Sequence, residues 1–124
     1  MSFAIKDLKR LKGSADRKYY EELFAMQCRA HKLPSAEREL AFHPERKWRF
    51  DFCWPNLFSP GGIALEIEGG IWMRKGAHNT GMAITRDIEK TNAATELGWR
   101  VFRATAAMVE SGETVELMKR VLAQ

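Results

Sequence analysis

A chain of 124 residues, 45% of them hydrophobic and 29% charged, is expected to form one ordinary soluble globular domain. It carries no apolar run near the roughly 20 residues needed to span a bilayer. Met1–Asp7 lacks a secretory signal pattern, and the two cysteines, Cys28 and Cys53, read as reduced cytosolic thiols, not a disulfide or zinc pair. The formal charge of +4 suits a polyanionic partner.

Residues 1–14 read as a basic arm with Lys6, Lys9, Arg10 and Lys12, closed by Gly13-Ser14. Residues 15–124 read as the single domain. Ser14 or Asp16 can cap a helix running to about His31, whose apolar arc is Tyr19, Tyr20, Leu23, Phe24, Ala30 and, more loosely, Met26. Glu21 and Glu22 sit at opposite margins of that arc, and the helical wheel does not choose between them. Leu33-Pro34 stops the helix. Residues 35–44 read as an irregular or edge strand with Leu40 and Phe42 inward and Pro44 tolerated only at an edge.

Two central strands follow, near 47–53 and 63–68. In the first, Trp48, Phe50 and Phe52 alternate with Arg49, Asp51 and Cys53. In the second, Leu65 and Ile67 alternate with Ala64, Glu66 and Glu68, the period of strands half buried on each face. Between them, residues 55–62 are dense in turn formers. Residues 69–81 form a glycine-rich loop at the carboxyl end of a strand, where function commonly resides, and it is expected to move without substrate. A helix over about 82–97 ends at Gly98. Its apolar arc is Ala83, Ile84, Ile88, Ala94 and Leu97, with Asp87 and Lys90 lying inside it. Either these two charges pair with each other or both reach toward the carboxylates of the sheet. A strand at 99–104 and an amphipathic helix at about 112–123, burying Val115, Met118, Val121 and Leu122, complete an α/β order with a mixed sheet flanked by helices.

Adjacent strands would bring Asp51, Glu66 and Glu68 onto one face. Carboxylates that close repel unless a cation or proton lies between them. Hard oxygen ligands suit Mg²⁺ or Mn²⁺, and the carbonyl of Ile67 could complete the set. Lys90 or His78 could orient or deprotonate an attacking water. Arg46, Lys47, Arg49, Arg74 and Lys75 would hold a phosphate backbone, and Trp72 could stack on a base or sugar. The expected reaction is metal-assisted phosphodiester hydrolysis. His31 and His43 read as structural, and Trp48, Trp54 and Trp99 as packing residues.

The combination of Asp51, Glu66-Ile67-Glu68-Gly69-Gly70, Gly76-Ala77-His78, Asp87-Ile88-Glu89-Lys90 and Leu97-Gly98-Trp99-Arg100-Val101-Phe102-Arg103 resembles the PD-(D/E)xK nuclease superfamily. It is most similar to small phage and prophage endonuclease domains related to very-short-patch repair endonucleases and Holliday-junction resolvases. The resemblance implies a restriction-endonuclease-like αβββαβ core and a DNA substrate, branched or otherwise structured. It also implies a metal held by Asp51 and Glu66 with help from Glu21 or Glu22, and a general-acid or phosphate-contacting His78. The superfamily's lysine belongs two residues after the second acid, where Glu68 stands. Some relatives supply that lysine from the following helix, which makes Lys90 the candidate. The alternatives are a catalytically silent DNA-binding protein with the same fold and a purely structural carboxylate network. Symmetric cutting of both strands would require a two-fold homodimer of such one-site chains.

Overall fold

The structure is a computed structural model that describes residues 17–57, 61–68 and 81–123. Residues 1–16, expected to hold a basic arm and a helix cap at Ser14 or Asp16, and residues 69–80, expected to form a loop with Trp72, Arg74, Lys75 and His78, lie outside the described residues. Within them the chain runs α1 (Arg17–Ala30), β1 (Glu37–Ala41), β2 (Arg49–Pro55), β3 (Gly62–Glu68), α2 (Gly81–Glu96), β4 (Trp99–Thr105), α3 (Ala106–Glu110) and α4 (Glu113–Leu122). No described helix is long and apolar enough to cross a membrane.

The four strands form one mixed sheet in the order β1-β2-β3-β4. Antiparallel pairing joins β1 to β2, with Leu40 opposite Phe50, and β2 to β3, with Phe52 opposite Leu65 and Pro55 opposite Gly62. The neighbours β3 and β4 are joined through α2, the long connection that strands running in the same direction require. The chain divides into two compact units. One contains β1, β2, β3 as far as Glu66, α2 and β4 as far as Arg103. The other contains α1, the end of β3, and everything from Ala104 onward.

In the sheet unit the two central strands are covered on both faces. Phe50, Asp51, Phe52, Cys53 and Trp54 are all buried, as are Ile63, Ala64 and Leu65. This differs from the half-buried alternation expected for them. Leu40, Phe42, Trp99 and Val101 pack against the core of Phe50, Cys53, Ala64 and Ala94. Phe42 stacks on Phe50 with centroids 4.0 Å apart, and Trp99 meets the same ring at 4.8 Å and 60°. Burial raises the Cys53 thiol to about 12, with smaller pushes from Glu37 and Glu66, so this cysteine is an inert core group. Gly61 permits the close approach of β3 to β4, because a Cβ there would stand 2.8 Å from the Gly98 carbonyl carbon and the Trp99 nitrogen.

The largest departure from the expected packing is on α2. Ile84 and Ile88 are 50% and 53% exposed, and Ala94 is the buried position of the helix. The row that faces the sheet is Asp87, Lys90, Thr91 and Ala94, spaced i, i+3, i+4, i+7.

In the helical unit α1 buries Tyr19, Tyr20, Phe24 and Ala25, whereas Ala30, expected inside, is exposed. The α1 terminus is a Schellman motif. Leu33 N–H donates to Cys28 O at 3.0 Å and Lys32 N–H to Arg29 O at 3.1 Å, with Lys32 left-handed at φ 56. Val115, Met118, Val121 and Leu122 of α4 are buried as their spacing predicts. The short α3 was not anticipated. Thr105 caps it by accepting from Met108 N–H at 3.2 Å, and Gln27 Nε2 of α1 donates to Val109 O at 3.0 Å.

Candidate active site

The β2–β3 register runs from Pro55–Gly62 to Phe52–Leu65. One step further along stand Asp51 and Glu66. Here the Asp51 backbone N–H donates to the Glu66 side chain, reaching Oε2 at 2.9 Å. A carboxylate thus takes the place of a ladder carbonyl, and the two acids are held side by side at this end of the pairing. Asp51 is only 5% exposed. An acid this deep requires a charge or hydrogen-bond partner.

Across from them, Lys90 of α2 donates through Nζ to Glu66 Oε1, with the side chains 20% and 15% exposed. The ammonium also lies 5.9 Å from the centre of the Phe50 ring. Lys90 therefore pairs with Glu66, and Asp87 pairs with Arg103 of β4 at 2.9 Å. The direct Asp87–Lys90 pair, one of the two expectations for this helix, is replaced by two links from the helix to the sheet. Together these groups line a cavity with Thr91 over a floor of Phe50, Ala94 and Val101. Burial pushes the Glu66 pKa above the ordinary carboxylate range, and Asp51 adds to the effect. The Lys90 ammonium and the Asp51 N–H pull it down without cancelling the rise.

A further acid is present that the sequence reading did not single out. Glu39 of β1 falls opposite Asp51 in the β1–β2 register, between the pairs Arg38–Phe52 and Leu40–Phe50. A carboxylate oxygen of Glu39 lies within 4.8 Å of one of Asp51, and Glu39 has a left-handed backbone at φ 57. Only the strand register could have revealed it, since Glu37 and Glu39 look alike in the sequence.

Glu68 lies two residues beyond Glu66, half-buried at the end of β3, and Ile67 between them is 1% exposed. Both belong to the helical unit. So do Glu21 and Glu22, and Glu21 forms an ion pair with Arg17 at 3.1 Å. Of the expected DNA-contacting residues, Arg46, Lys47 and Arg49 are exposed around the turn into β2. His43 shapes that turn: its Nδ1 accepts from the N–H groups of Glu45 and Arg46 at 3.1 and 2.9 Å. Arg46 in turn stacks over Trp48 at 4.1 Å.

Asp51 and Glu39 bring carboxylate oxygens within 4.8 Å of one another, and both Glu66 oxygens beside them accept hydrogen bonds, from the Asp51 N–H and from Lys90. Carboxylate oxygens are the donor chemistry of Mg²⁺ or Mn²⁺ and not of a soft metal. Comparison with protein-family models, with curated proteins and with solved structures finds no match to this chain.

Proposed function

We propose that the chain is a Mg²⁺- or Mn²⁺-dependent DNA endonuclease of the PD-(D/E)xK type in which the missing motif lysine is supplied by Lys90. The observation that carries this reading is the contact of Lys90 Nζ with Glu66 Oε1 beside Asp51. Two acids on adjacent strands and one lysine are the minimum that hydrolysis of a phosphodiester asks of such a site. Asp51 and Glu66 would hold the cation, with Glu39 as a further oxygen donor. A bound divalent cation supplies charge neutralisation at the phosphate and a more acidic water. The Lys90 ammonium orients the attacking water through a hydrogen bond and places a positive charge where the phosphate gains negative charge. The Lys90 side chain is 20% exposed, with the Phe50 ring 5.9 Å from its ammonium, and this partial burial strengthens its field. Arg46, Lys47 and Arg49 hold the nucleic-acid backbone without reading sequence.

Cleavage of a panel of branched, mismatched and linear DNAs tests the reading. Asp51→Asn and Glu66→Gln abolish cutting in Mg²⁺ and keep DNA binding in Ca²⁺, and Lys90→Ala slows cutting about a hundredfold. An Asp51→Asn protein that cuts as fast as the parent overturns the metal site. Salt-dependent DNA binding with no cutting in Mg²⁺ or Mn²⁺ identifies a silent DNA-binding protein instead. The same panel asks whether symmetric double-strand cuts, and hence a dimer, occur.

A further inference from the structure

The cavity contains a charge pair that the proposed hydrolysis does not use. Asp87 of α2 and Arg103 of β4 meet at 2.9 Å with side chains 47% and 42% exposed, on the same cavity wall as Lys90 and Thr91. We propose that Arg103, with Lys90 and the Thr91 hydroxyl, forms a seat for a phosphate group of the nucleic acid, and that Asp87 occupies the guanidinium until the phosphate arrives. The proposal rests on the nuclease reading above and adds to it a residue outside the acid–acid–lysine set.

Three observations support it. Asp87, Lys90 and Thr91 are spaced i, i+3, i+4 on one face of α2, and Val101 and Arg103 share one face of β4. Two cations and Thr91 therefore line one hollow. Secondly, the charges lining this hollow are two carboxylates, Glu66 and Asp87, and two cations, Lys90 and Arg103, which sum to zero. A divalent cation held by Glu66 would compete with Lys90 for that carboxylate and leave the ammonium available to an anion. Thirdly, Arg103 already binds an oxyanion at hydrogen-bond distance in a half-exposed setting. A guanidinium offers five N–H donors in a planar fork, and a phosphate presents oxygens to it in the same bidentate manner as a carboxylate.

The test measures binding of a short DNA duplex by the full chain in Ca²⁺ over a series of salt concentrations, beside titration with inorganic phosphate followed by amide chemical shifts. Arg103→Gln is expected to weaken DNA binding about tenfold and to reduce the salt slope by about one. Arg103→Lys is expected to keep the slope and lose part of the affinity, because it retains charge without the fork. Phosphate is expected to shift the amides of Thr91 and Arg103 in the parent and not in Arg103→Gln. A parent that cuts DNA while Arg103→Gln matches it in affinity and slope overturns the seat alone. A parent whose DNA affinity and salt slope depend on Arg103 but which cuts no DNA in Mg²⁺ or Mn²⁺ supports the seat and overturns the nuclease reading. An unchanged thermal midpoint for Arg103→Gln excludes misfolding as the cause of any loss.

Discussion

Glu66 accepts one hydrogen bond on each carboxylate oxygen, from the Asp51 N–H and from Lys90, and still ionises less readily than an exposed acid, because burial and the Asp51 carboxylate outweigh both. This has a consequence for stability. A group whose pKa is raised in the folded state contributes stability below its unfolded value, here 4.5, and that contribution is lost as pH rises through the folded value. Without divalent salts, the parent should therefore lose thermal stability between pH 4.5 and neutrality more steeply than Glu66→Gln, which has no such proton to release. Thermal midpoints of the two proteins across that interval check this, and parallel curves would sink the assignment. The sequence placed Asp51 and Glu66 among the candidates because they share the polar side of two alternating strands, and Lys90 because it broke the apolar arc of its helix. Arg103 entered only as a possible ionic partner of the carboxylates, and Glu39 not at all. A glutamate on an edge strand breaks no pattern, and only the register gives it a neighbour.

At the scale of elements, strand alternation and helical periodicity were enough to locate the four strands and the three longer helices within a few residues. The inward face of α2 was a different matter. An apolar arc through Ile84 and Ile88 predicts a buried stripe, yet these residues are exposed and the charged row faces the sheet. Periodicity ranks side chains by transfer to oil, whereas Lys90 and Asp87 meet ionic partners on β3 and β4 that no helical wheel contains. The helix ends obey local rules more closely. Gly98 at φ 94 closes α2 with its N–H on Thr95 O at 3.0 Å, while Lys32 takes the same left-handed role after α1. An L side chain pays about 1–2 kcal/mol in this region, partly offset for glycine by about 0.5–1 kcal/mol of extra chain entropy. Gly98→Ala should accordingly destabilise by about 1 kcal/mol or more, and Lys32→Gly should stabilise by about 0.5–1 kcal/mol. Urea unfolding midpoints at constant slope distinguish the two signs.

The whole chain assembles its candidate site from four elements: Asp51 comes from β2, Glu66 from β3, Lys90 from α2 and Arg103 from β4. None of these contacts is local in sequence, so the site exists only once the sheet order β1-β2-β3-β4 and the α2 crossover are in place. Order of elements could be read from the chain, but the end of the β2–β3 pairing, which lets a side chain replace a ladder carbonyl at Asp51, depends on register. A ligand that binds this assembled state and not the unfolded chain must stabilise it by mass action. At a free concentration one hundred times its dissociation constant, Mg²⁺ should add about 2.7 kcal/mol. Hydrogen exchange is the measurement suited to a chain with two compact units, because it reads each amide separately. Adding Mg²⁺ should slow exchange at Phe52, Leu65 and Ala94, whose amides lie in the unit that carries Asp51, Glu66 and Lys90. Asp51→Asn should remove most of that protection, and Arg103→Gln should leave it in place, since Arg103 is assigned to the phosphate and not to the cation. Equal protection in the parent and in Asp51→Asn would mean that Mg²⁺ acts elsewhere, and the carboxylates would then stand as a structural network closed by Lys90 and Arg103.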